Sequence, residues 1–473
     1  MNDIAKTIVS VNNKQRNRNE REKEKIMSKE KPVIGTEGIY DARTLGAPRM
    51  LVLGIQHMFA MFGATVLVPV LTGLSVTTTL LFAGLGTLLF HLLAKGKVPA
   101  FLGSSFAFLA GYQAIAPNKE PELLPYACAG VAVAGLLYVI LAALFRAFGA
   151  QKVMRFFPPI VTGPVIICIG LTLSSSALNN CAKNWPIALV AIVVVIVCNI
   201  WGKGMIKIIP ILLGVVASYV VAAITGNVDF TLVEKAAWIG SPVEMERTVF
   251  ALFGDCDTSL LVSSMITIVP LALATMIEHI GDICAISSTC ERNYLADPGL
   301  HRTLLGDGLA TMVAGMFGGP ANTTYGENTG VLALSKIYDP LVIRIAAVLA
   351  IILSFSPKFE AVINTIPTGI IGGISFVLYG MISAIGVRNV VENRVDFTNS
   401  RNLIVAAVIL VCALGFNSVG GVGFTVGSVT INLSGLAVAA IAGILLNAIL
   451  PGNDYEFDAT AGSDAATSGN LQV

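Results

Sequence analysis

From Met50 onward the chain alternates long apolar runs with short polar loops. A helix needs roughly 20 apolar residues to cross a bilayer, so each long run with few or no Asp, Glu, Lys or Arg residues predicts a crossing. The runs predict about fourteen membrane-spanning segments, divided evenly by an acidic stretch at 229–257. Before this stretch the segments lie within 50–94, which holds a pair, and within 98–118, 123–145, 156–182, 184–202 and 208–228. After it they lie within 258–288, 303–318, 321–335, 340–356, 361–387 and 402–453, the last of which holds a pair.

The composition agrees with this pattern. Hydrophobic residues make up 55% of the 473 residues and charged residues only 12%, which excludes a soluble protein and predicts an all-α polytopic membrane protein. The eight Cys residues include no Cys-x-x-Cys pair, which argues against a metal site. The sequence has no basic stripe of the kind that binds nucleic acid. The composition predicts that the protein is surrounded by membrane lipid.

The Lys and Arg residues indicate how the chain is oriented in the membrane. Most of the 30 fall in the amino-terminal tail or in the predicted loops on the same side of the membrane. Cationic residues favour cytoplasmic loops, so the distribution predicts a multi-pass protein of the cytoplasmic (inner) membrane with both termini in the cytoplasm. The predicted outer side carries only Lys119, Lys183, Lys235, Arg247 and Lys358.

Both ends of the chain are polar. Residues 1–48 are rich in charges of both signs and hold no apolar run long enough for a signal peptide, which predicts a disordered cytoplasmic tail. We expect residues 1–26 to be dispensable, since a solvated charged segment buries no apolar area that the fold needs. Residues 454–473 form a second predicted cytoplasmic tail.

Two matched pairs of short sequences indicate an internal repeat. Gln56-His57 recurs as Glu278-His279 after 222 residues, and the segment that begins at Pro99 recurs loosely at Pro320 after 221 residues. About seven segments per copy is an odd number, so the second copy must enter the membrane upside down. The chain is therefore expected to contain two inverted repeats.

The third and tenth segments, Pro99-Ala-Phe-Leu-Gly-Ser-Ser-Phe106 and Pro320-Ala-Asn-Thr-Thr-Tyr325, are short and rich in Gly, Pro and small hydroxyl residues. Lipid cannot satisfy the N–H and C=O groups of extended backbone, so such segments are tolerated only where they line a cavity or are buried in protein. Broken segments in matching positions of two repeats point to a transporter binding site. We expect 103–106 and 324–327 to face each other at mid-membrane, close to Glu278.

Glu278, His279 and Asp282 stand inside the predicted eighth span, and Glu327 stands inside the tenth. A carboxylate at the bilayer centre costs roughly 2.5 to 3.5 kcal/mol, so such a group indicates a cavity or a partner. Glu278 and Asp282 are four residues apart, so on a helix their carboxyls share a face. Two like charges cannot both be ionised easily away from water, so this pair is expected to hold a proton.

Structural roles stay open for the same residues. Glu278 or Glu327 can hydrogen-bond the broken backbone, and Asp282 can face a neighbouring helix. His279 directly follows Glu278 and so faces another direction, which favours packing for this side chain. The Glu-His-x-x-Asp order lacks the histidine pair of a zinc-binding helix, so no metal is expected here.

The chain contains five motifs that belong together: Phe62-Gly-Ala-Thr-Val-Leu-Val-Pro-Val70, Lys97-Val-Pro-Ala-Phe-Leu-Gly-Ser-Ser-Phe-Ala-Phe108, Glu278-His-Ile-Gly281, Asp297-Pro-Gly-Leu-His-Arg302 and Asn322-Thr-Thr-Tyr-Gly-Glu-Asn328. These motifs resemble the uracil permeases of the nucleobase/ascorbate transporter family (nucleobase cation symporter 2, xanthine/uracil permease). The resemblance runs from about residue 45 to 450. It implies a proton-coupled symporter that imports a nucleobase by alternating access, with no cofactor other than the proton, usually as a homodimer.

The resemblance also implies two domains that each draw on both repeats. The core domain is expected to comprise 49–148 (spans 1–4) and 258–357 (spans 8–11). The gate domain is expected to comprise 149–228 (spans 5–7) and 358–453 (spans 12–14), and 229–257 is expected to form an extracellular loop. The nucleobase is expected to bind between the two domains.

Single residues take roles from the same resemblance. Glu278 and Glu327 match the glutamates that hold the polar edge of a pyrimidine, and Phe106 and Gly326 match positions whose backbone contacts the base. Relatives for xanthine or urate carry Gln in place of Glu327, so uracil is the favoured substrate and a purine is the alternative. Asp282 stands where uracil permeases often carry His.

The proton path is therefore assigned to Glu278, Asp282 and His279 together. Uracil offers N–H donors and C=O acceptors in one plane, an ionised carboxylate only accepts, and a protonated carboxyl also donates. Carboxyls at 278 and 327 can thus satisfy the ring edge, while Phe106 or Tyr325 covers a face of the ring.

Two other function classes stay open from the residues alone. An anion transporter can share an inverted-repeat fold, but its site needs cationic groups where this chain has Glu278 and Glu327. An intramembrane enzyme needs a nucleophile with a base, or a metal cluster, at one depth, and the sequence offers neither clearly. We therefore expect a transporter and not an enzyme.

Overall fold

The structure is a computed structural model that describes residues 34–35, 37–254, 256–426, 429–452 and 455. The segment 1–26, predicted to be dispensable, lies outside the described residues, and so does the predicted carboxyl-terminal tail apart from Tyr455. Most of the described chain is helical, as expected for a polytopic membrane protein.

Helices make up nearly all of the amino-terminal half, and a short strand interrupts them in the predicted third segment. In chain order the elements are α1 (Ala47–Thr72), α2 (Val76–Leu93), β1 (Leu102–Ser104), α3 (Leu109–Ile115), α4 (Leu124–Phe148), α5 (Ala150–Met154), α6 (Pro159–Cys181), α7 (Trp185–Trp201), α8 (Met205–Ile208) and α9 (Pro210–Ile224). The acidic stretch that follows contains the short helix α10 (Thr231–Lys235).

The carboxyl-terminal half has a similar order, with a strand in the predicted tenth segment. Its elements are α11 (Thr258–Ile268), α12 (Ala272–Thr289), α13 (Leu300–Met316), β2 (Asn322–Thr324), α14 (Gly326–Ser335), α15 (Pro340–Ser354), α16 (Pro357–Asn364), α17 (Thr368–Glu392), α18 (Ser400–Ser418), β3 (Val422–Val426), β4 (Val429–Leu433) and α19 (Gly435–Ile449). Each predicted segment therefore contains a helix.

The described helices are those of a multi-pass membrane protein. Seven of them are long and apolar enough to cross a membrane, with α11 and α12 counted as one, and the bent pair α15 and α16 brings the number to eight. Others, such as α7 and α9, are apolar but shorter. The count of fourteen segments therefore stays a prediction, because helix length alone does not establish the short crossings.

The predicted twelfth segment, 361–387, begins too early. Its first residues belong to α16, a separate short helix that lies at 87° to α15. The long helix α17 starts only at Thr368, directly after Pro367. Proline disfavours helical conformation in the residue before it, so Ile366 does not continue α16 into α17.

The prediction of an all-α fold misses a β-hairpin between α18 and α19. Strands β3 and β4 are antiparallel, with Val422 opposite Leu433 and Phe424 opposite Ile431. The hairpin packs against α11 through β4. β-branched residues recur in this part of the sequence on both sides of Gly427-Ser428, a pattern typical of a two-residue hairpin turn.

The folded part of the chain also begins earlier than predicted. Ile39 and Ala42 are buried, and Ile39 forms a parallel bridge with Ile337. The backbone N–H of Ala42 donates to Oδ2 of Asp339 over 2.8 Å. Residues 37–48 therefore do not belong to a disordered tail, because their apolar side chains and backbone groups find partners in the loop after α14.

The helices pack into two groups. The first helix group comprises α1–α4 and α11–α15 with β1 and β2, and within it α2 packs on α15 while α13 packs on α4. The second helix group comprises α6–α9 and α17–α19, and within it α6 packs on α17, α7 on α9, and α18 on α19. The pair of α2 with α15 corresponds to the pair of α13 with α4, and the pair of α7 with α9 corresponds to the pair of α18 with α19. In each case the two halves of the chain exchange places, as an inverted repeat requires.

Strands β1 and β2 pair with each other inside the first helix group, with Leu102 opposite Thr324. The N–H of Leu102 donates to Oγ1 of Thr87 over 2.9 Å, and the N–H of Asn322 donates to Oγ1 of Thr311 over 3.1 Å. The extended backbone is therefore satisfied within the protein, as membrane depth requires. This pairing confirms that the third and tenth segments are broken and face each other.

Candidate functional site

The residues predicted to hold the substrate lie around one small cavity between the two helix groups. Helix α12 contributes Glu278 and Asp282, and α14 contributes Glu327 from its first turn. The cavity offers about 30 Å³ to water-sized molecules. Its other lining residues are Phe106, Thr323, Thr324, Tyr325 and Gly326 from the first helix group and Ile166, Ile382 and Ile385 from the second.

The three carboxyl groups of this cavity have different surroundings. Oγ1 of Thr324 donates to Oδ2 of Asp282 over 2.7 Å. Oε2 of Glu278 is buried and has no hydrogen-bond partner among the described residues. Glu327 lies at the start of α14, where the unpaired N–H groups of the first turn favour negative charge. Because buried polar groups are normally hydrogen-bonded, the unpaired oxygen of Glu278 is suited to accept a hydrogen bond from a ligand.

Tyr325 holds the two broken segments together. Its hydroxyl donates to the backbone oxygen of Ser104 over 3.0 Å and accepts from Oγ1 of Thr65 over 3.1 Å. The ring lies so close to Gly103 that a Cβ added there would be 2.4 Å from it. Tyr325 therefore has a structural role through its hydroxyl, and Phe106 is the second aromatic residue in the lining of the cavity.

Phe106 also contacts the second helix group. Its ring lies edge-on to that of Tyr379 in α17, with centroids 5.6 Å apart and planes at 77°. Tyr379 is buried at this contact. Tyr379 was not among the predicted site residues, because a single tyrosine in an apolar span is an ordinary packing residue and only the fold places it opposite Phe106.

His279 does not line the cavity. Successive side chains on a helix point about 100° apart, so His279 faces away from the side of α12 that carries Glu278. Its Nδ1 lies 2.9 Å from Oδ2 of Asp307 in α13, and both side chains are fully buried. The structure therefore separates His279 from the other residues assigned to the proton path. Asp307 was missed, although a carboxyl inside the predicted ninth span was the same signal that selected Glu278.

A larger cavity adjoins the small one. It offers about 240 Å³ to water-sized molecules and shares Gly326, Glu327, Ile382 and Ile385 with the small cavity. Its lining also includes Lys207 in α8. Because Lys207 belongs to a predicted inner loop, this cavity lies on the cytoplasmic side of the carboxyl groups in the predicted topology.

A third cavity, of about 620 Å³, lies elsewhere. Among the described residues its lining is apolar except for Lys152, and it contains none of the predicted site residues. Several of its side chains, such as Ile140 and Phe148, are exposed. Exposed apolar surface is expected where a membrane protein meets lipid, so this groove is not the candidate site.

Comparison with known sequences identifies the family. The chain matches the Permease family (Xan_ur_permease) over residues 48–420. It is 41% identical to a uracil permease of Bacillus caldolyticus over 432 residues, which cover 89% of this chain and 95% of that protein. It is 40% identical to a uracil permease of Bacillus subtilis (strain 168) over 412 residues, which cover 84% of this chain and 91% of that protein.

Solved structures share the fold at low sequence identity. The transmembrane domain of a cyanobacterium bicarbonate transporter, BicA, aligns with a TM-score of 0.58 at 17% identity and covers 81% of this chain and 98% of that one. The structure of SLC26A9 aligns with a TM-score of 0.59 at 12% identity and covers 85% of this chain and 64% of that one. Both similarities concern the fold alone.

The sequence match to the Permease family covers most of the chain, and it includes every residue predicted for the site. It confirms the expectation of a transporter that is not an enzyme, and it confirms the family that the five motifs indicated. The helices provide the multi-pass membrane protein that such a transporter requires. The chain therefore belongs to the Xan_ur_permease family of permeases.

Proposed function

We propose that this protein is a proton-coupled symporter that imports uracil across the cytoplasmic membrane by alternating access. The observation that carries the proposal is one cavity, lined by Glu278, Asp282 and Glu327, between two groups of membrane helices. Two relatives at 41% and 40% identity are named uracil permease, which supports the substrate.

Glu278 and Glu327 bind the polar edge of uracil. The ring presents N–H donors and C=O acceptors in one plane, and a carboxyl accepts when ionised and also donates when protonated. The start of α14 at Gly326 supplies further donors, since the first turn of a helix leaves N–H groups unpaired. Phe106 packs on one face of the ring and fixes its plane.

Glu278 and Asp282 carry the proton between them. They lie one turn apart on α12 and line the same cavity. Two like charges with little water between them are costly, so a proton shared by the pair lowers the free energy. Glu278 changes from acceptor to donor when it is protonated, which couples the proton to the substrate contact. His279, paired with Asp307, positions α12, and the proposal needs no cofactor besides the proton.

The architecture that we propose has fourteen segments in two inverted repeats. The first helix group is the core domain, the second is the gate domain, and both termini are cytoplasmic. Support comes from the β1–β2 ladder, in which Leu102 pairs with Thr324 and Gly103 pairs with Thr323. With an offset of 221 residues, Leu102 corresponds to Thr323 and Gly103 corresponds to Thr324, so each pair is the other with its strands exchanged. A two-fold axis through the ladder requires this relation. A homodimer is the assembly that the family resemblance favours.

Alternating access follows from where the cavity lies. One wall belongs to the core domain, and Ile166, Ile382 and Ile385 of the gate domain form the other. Movement of one domain past the other therefore exposes the carboxyls to one side of the membrane at a time. The larger cavity next to Glu327 supports the assignment of the present conformation as inward-facing in the proposed topology.

Two other substrates are the alternatives. A purine such as xanthine or urate is the second candidate within the family, and only Glu327 in place of Gln argues against it. An anion is the third, because the bicarbonate transporter BicA has the same fold. The lining argues against an anion, since the described residues of the small cavity include three carboxyls and no Lys, Arg or His.

Uptake of radiolabelled uracil by purified protein in liposomes tests the proposal. We expect accumulation when an inward proton gradient is imposed, its collapse when an uncoupler is added, and none when a sodium gradient replaces the proton gradient. Excess unlabelled uracil should block uptake more strongly than equal xanthine or bicarbonate. Failure to accumulate uracil, or stronger competition by xanthine or bicarbonate, would contradict the proposed substrate.

A further inference from the structure

The larger cavity next to the carboxyl groups has the chemistry of a binding site. We propose that it is a second, cytoplasmic-side station for the nucleobase, where Asn199 and Lys207 hold the ring after it has left Glu278. This inference rests on the proposed function and deepens it, because it concerns the same substrate at a different place in the transport cycle.

The two cavities differ in whether a pyrimidine ring fits inside them. A buried water needs roughly 10 to 15 Å³ of such space. The small cavity, at about 30 Å³, holds about two waters and therefore no pyrimidine ring in this conformation. The larger one, at about 240 Å³, has room for on the order of fifteen waters and so for a single planar ring. Of these two cavities, only the larger one has room for the base in this conformation.

The two cavities share part of their lining. Gly326 and Glu327 line both cavities, whereas Glu278 and Asp282 line only the small one. A ring that moves from the small to the large cavity can therefore keep its contact with Glu327 while it loses Glu278 and Asp282. This places the second station after the step in which the substrate separates from the proton-carrying pair.

The lining of the larger cavity contains polar and aromatic side chains that suit a nucleobase. Asn199, which is half-buried, and Lys207, which is exposed, both line the larger cavity, and neither side chain has a hydrogen-bond or ion-pair partner among the described residues. The amide of Asn199 offers a donor and an acceptor, which matches an N–H next to a C=O on uracil. Lys207 offers donors to a second C=O, and Phe59 offers an aromatic surface. Polar groups without protein partners are suited to bind a polar ligand.

The station spans both helix groups. Asn199 and Lys207 belong to the second helix group, and Phe59 and Glu327 belong to the first. A base held between them stabilises the inward-facing conformation, so the station sets the affinity for uracil at the cytoplasmic face. Uracil is neutral, so Lys207 acts as a hydrogen-bond donor and its effect should depend little on salt.

Transport kinetics measured separately from each face test this inference. Right-side-out and inside-out vesicles are prepared from cells that express the full chain with Asn199→Ala or Lys207→Gln. We expect the half-saturating uracil concentration at the cytoplasmic face to rise roughly two- to tenfold, the effect of losing one hydrogen bond, and the value at the outer face to stay unchanged. Lys203→Gln is the matched control, because Lys203 is exposed in the same loop and does not line the cavity.

Three results would overturn the station. They are equal shifts at both faces, unchanged values at the cytoplasmic face in both variants, and a shift in Lys203→Gln as large as in Lys207→Gln. The first result would move these residues into the carboxyl site, and the last would attribute the effect to surface charge. Failure of the unmutated protein to carry uracil from either face would instead reject the proposed function, so the two failures are distinguishable.

Discussion

The third and tenth segments have similar backbone conformations but different side chains. In each, a three-residue strand is followed by a helix: β1 by α3, after a single 3-10 turn at Phe106–Phe108, and β2 by α14, directly after Tyr325. With the 221-residue offset, Gly103 corresponds to Thr324 and Phe106 corresponds to Glu327. The first segment therefore places a glycine and an aromatic ring where the second places a hydroxyl and a carboxyl.

This difference separates what the membrane demands from what the substrate demands. Both segments need hydrogen-bonded backbone at membrane depth, so both contain a strand. In both, a Thr hydroxyl accepts a hydrogen bond from the N–H of the first strand residue. The proposed substrate has a flat apolar face and a polar edge, so in the proposed binding mode one repeat supplies the surface for the face and the other supplies groups for the edge. Each prediction below breaks one side of this division.

The largest effect is expected from Asp282→Asn, which acts on the polar side. Asp282 accepts from Thr324, and the position that matches Thr324 in the first repeat is Gly103, which has no side chain to replace it. The substitution keeps the shape but removes one of two like charges, so the proton that we propose the pair to share should be lost. We expect accumulation driven by a proton gradient to fail while uracil exchange survives.

Counterflow and gradient-driven uptake, measured side by side on the same preparation, decide this prediction. Accumulation by the unmutated protein should fall as the external pH rises, because the shared proton becomes less available, and Asp282→Asn should lose this dependence. If both activities persist, Asp282 is not needed for coupling. If both vanish, it belongs to the binding site or to the fold.

Glu327→Gln is expected to have the next largest effect. The amide has the size of the carboxyl but loses its negative charge, and a hydrogen bond to a charged group contributes about 1.5 to 3 kcal/mol. We therefore expect uracil affinity to fall roughly 10- to 150-fold, measured by equilibrium binding to purified protein. Glu122→Gln, at an exposed loop residue, is the control. Unchanged affinity would place the polar edge of the base elsewhere.

Gly103→Ala tests the structural asymmetry between the segments. The added Cβ would lie 2.4 Å from the ring of Tyr325, and overpacking of this kind typically costs about 1 to 3 kcal/mol. We expect a lower thermal unfolding temperature in detergent. Gly380→Ala is the matched control in a helix, since an added Cβ there meets no atom within 4 Å. Equal stability of the two variants would show that the ring of Tyr325 moves aside easily.

The smallest effect is expected from Phe106→Leu, on the apolar side. Leucine keeps apolar contact but loses the flat ring, which contributes about 0.5 to 1.5 kcal/mol in aromatic pairs. We expect uracil affinity to fall roughly two- to twelvefold, clearly less than for Glu327→Gln. Phe148→Leu, at an exposed phenylalanine, should leave affinity unchanged. A larger loss for Phe106→Leu than for Glu327→Gln would reverse the division between the two segments.

Sequence reasoning found the carboxyls of the site but not all of their surroundings. Glu278 and Glu327 were identifiable because a charge inside an apolar run is costly and therefore needs a reason. Asp307 carried the same signal and was overlooked, so its contact with His279 became visible only in the structure. Tyr379 carried no signal at all, since its contact with Phe106 depends on how the two helix groups pack.

The sequence by itself determined the class of the protein, the broken segments and their common offset. These properties depend on composition and on spacing along the chain, because the bilayer acts on each apolar run separately. Only the tertiary structure decided that Asp282 lines the cavity instead of facing a neighbouring helix, that His279 meets Asp307, and that Glu327 borders two cavities. Those outcomes depend on the rotation of each helix and on contacts between residues far apart in the chain, and hydrophobic spacing constrains neither closely.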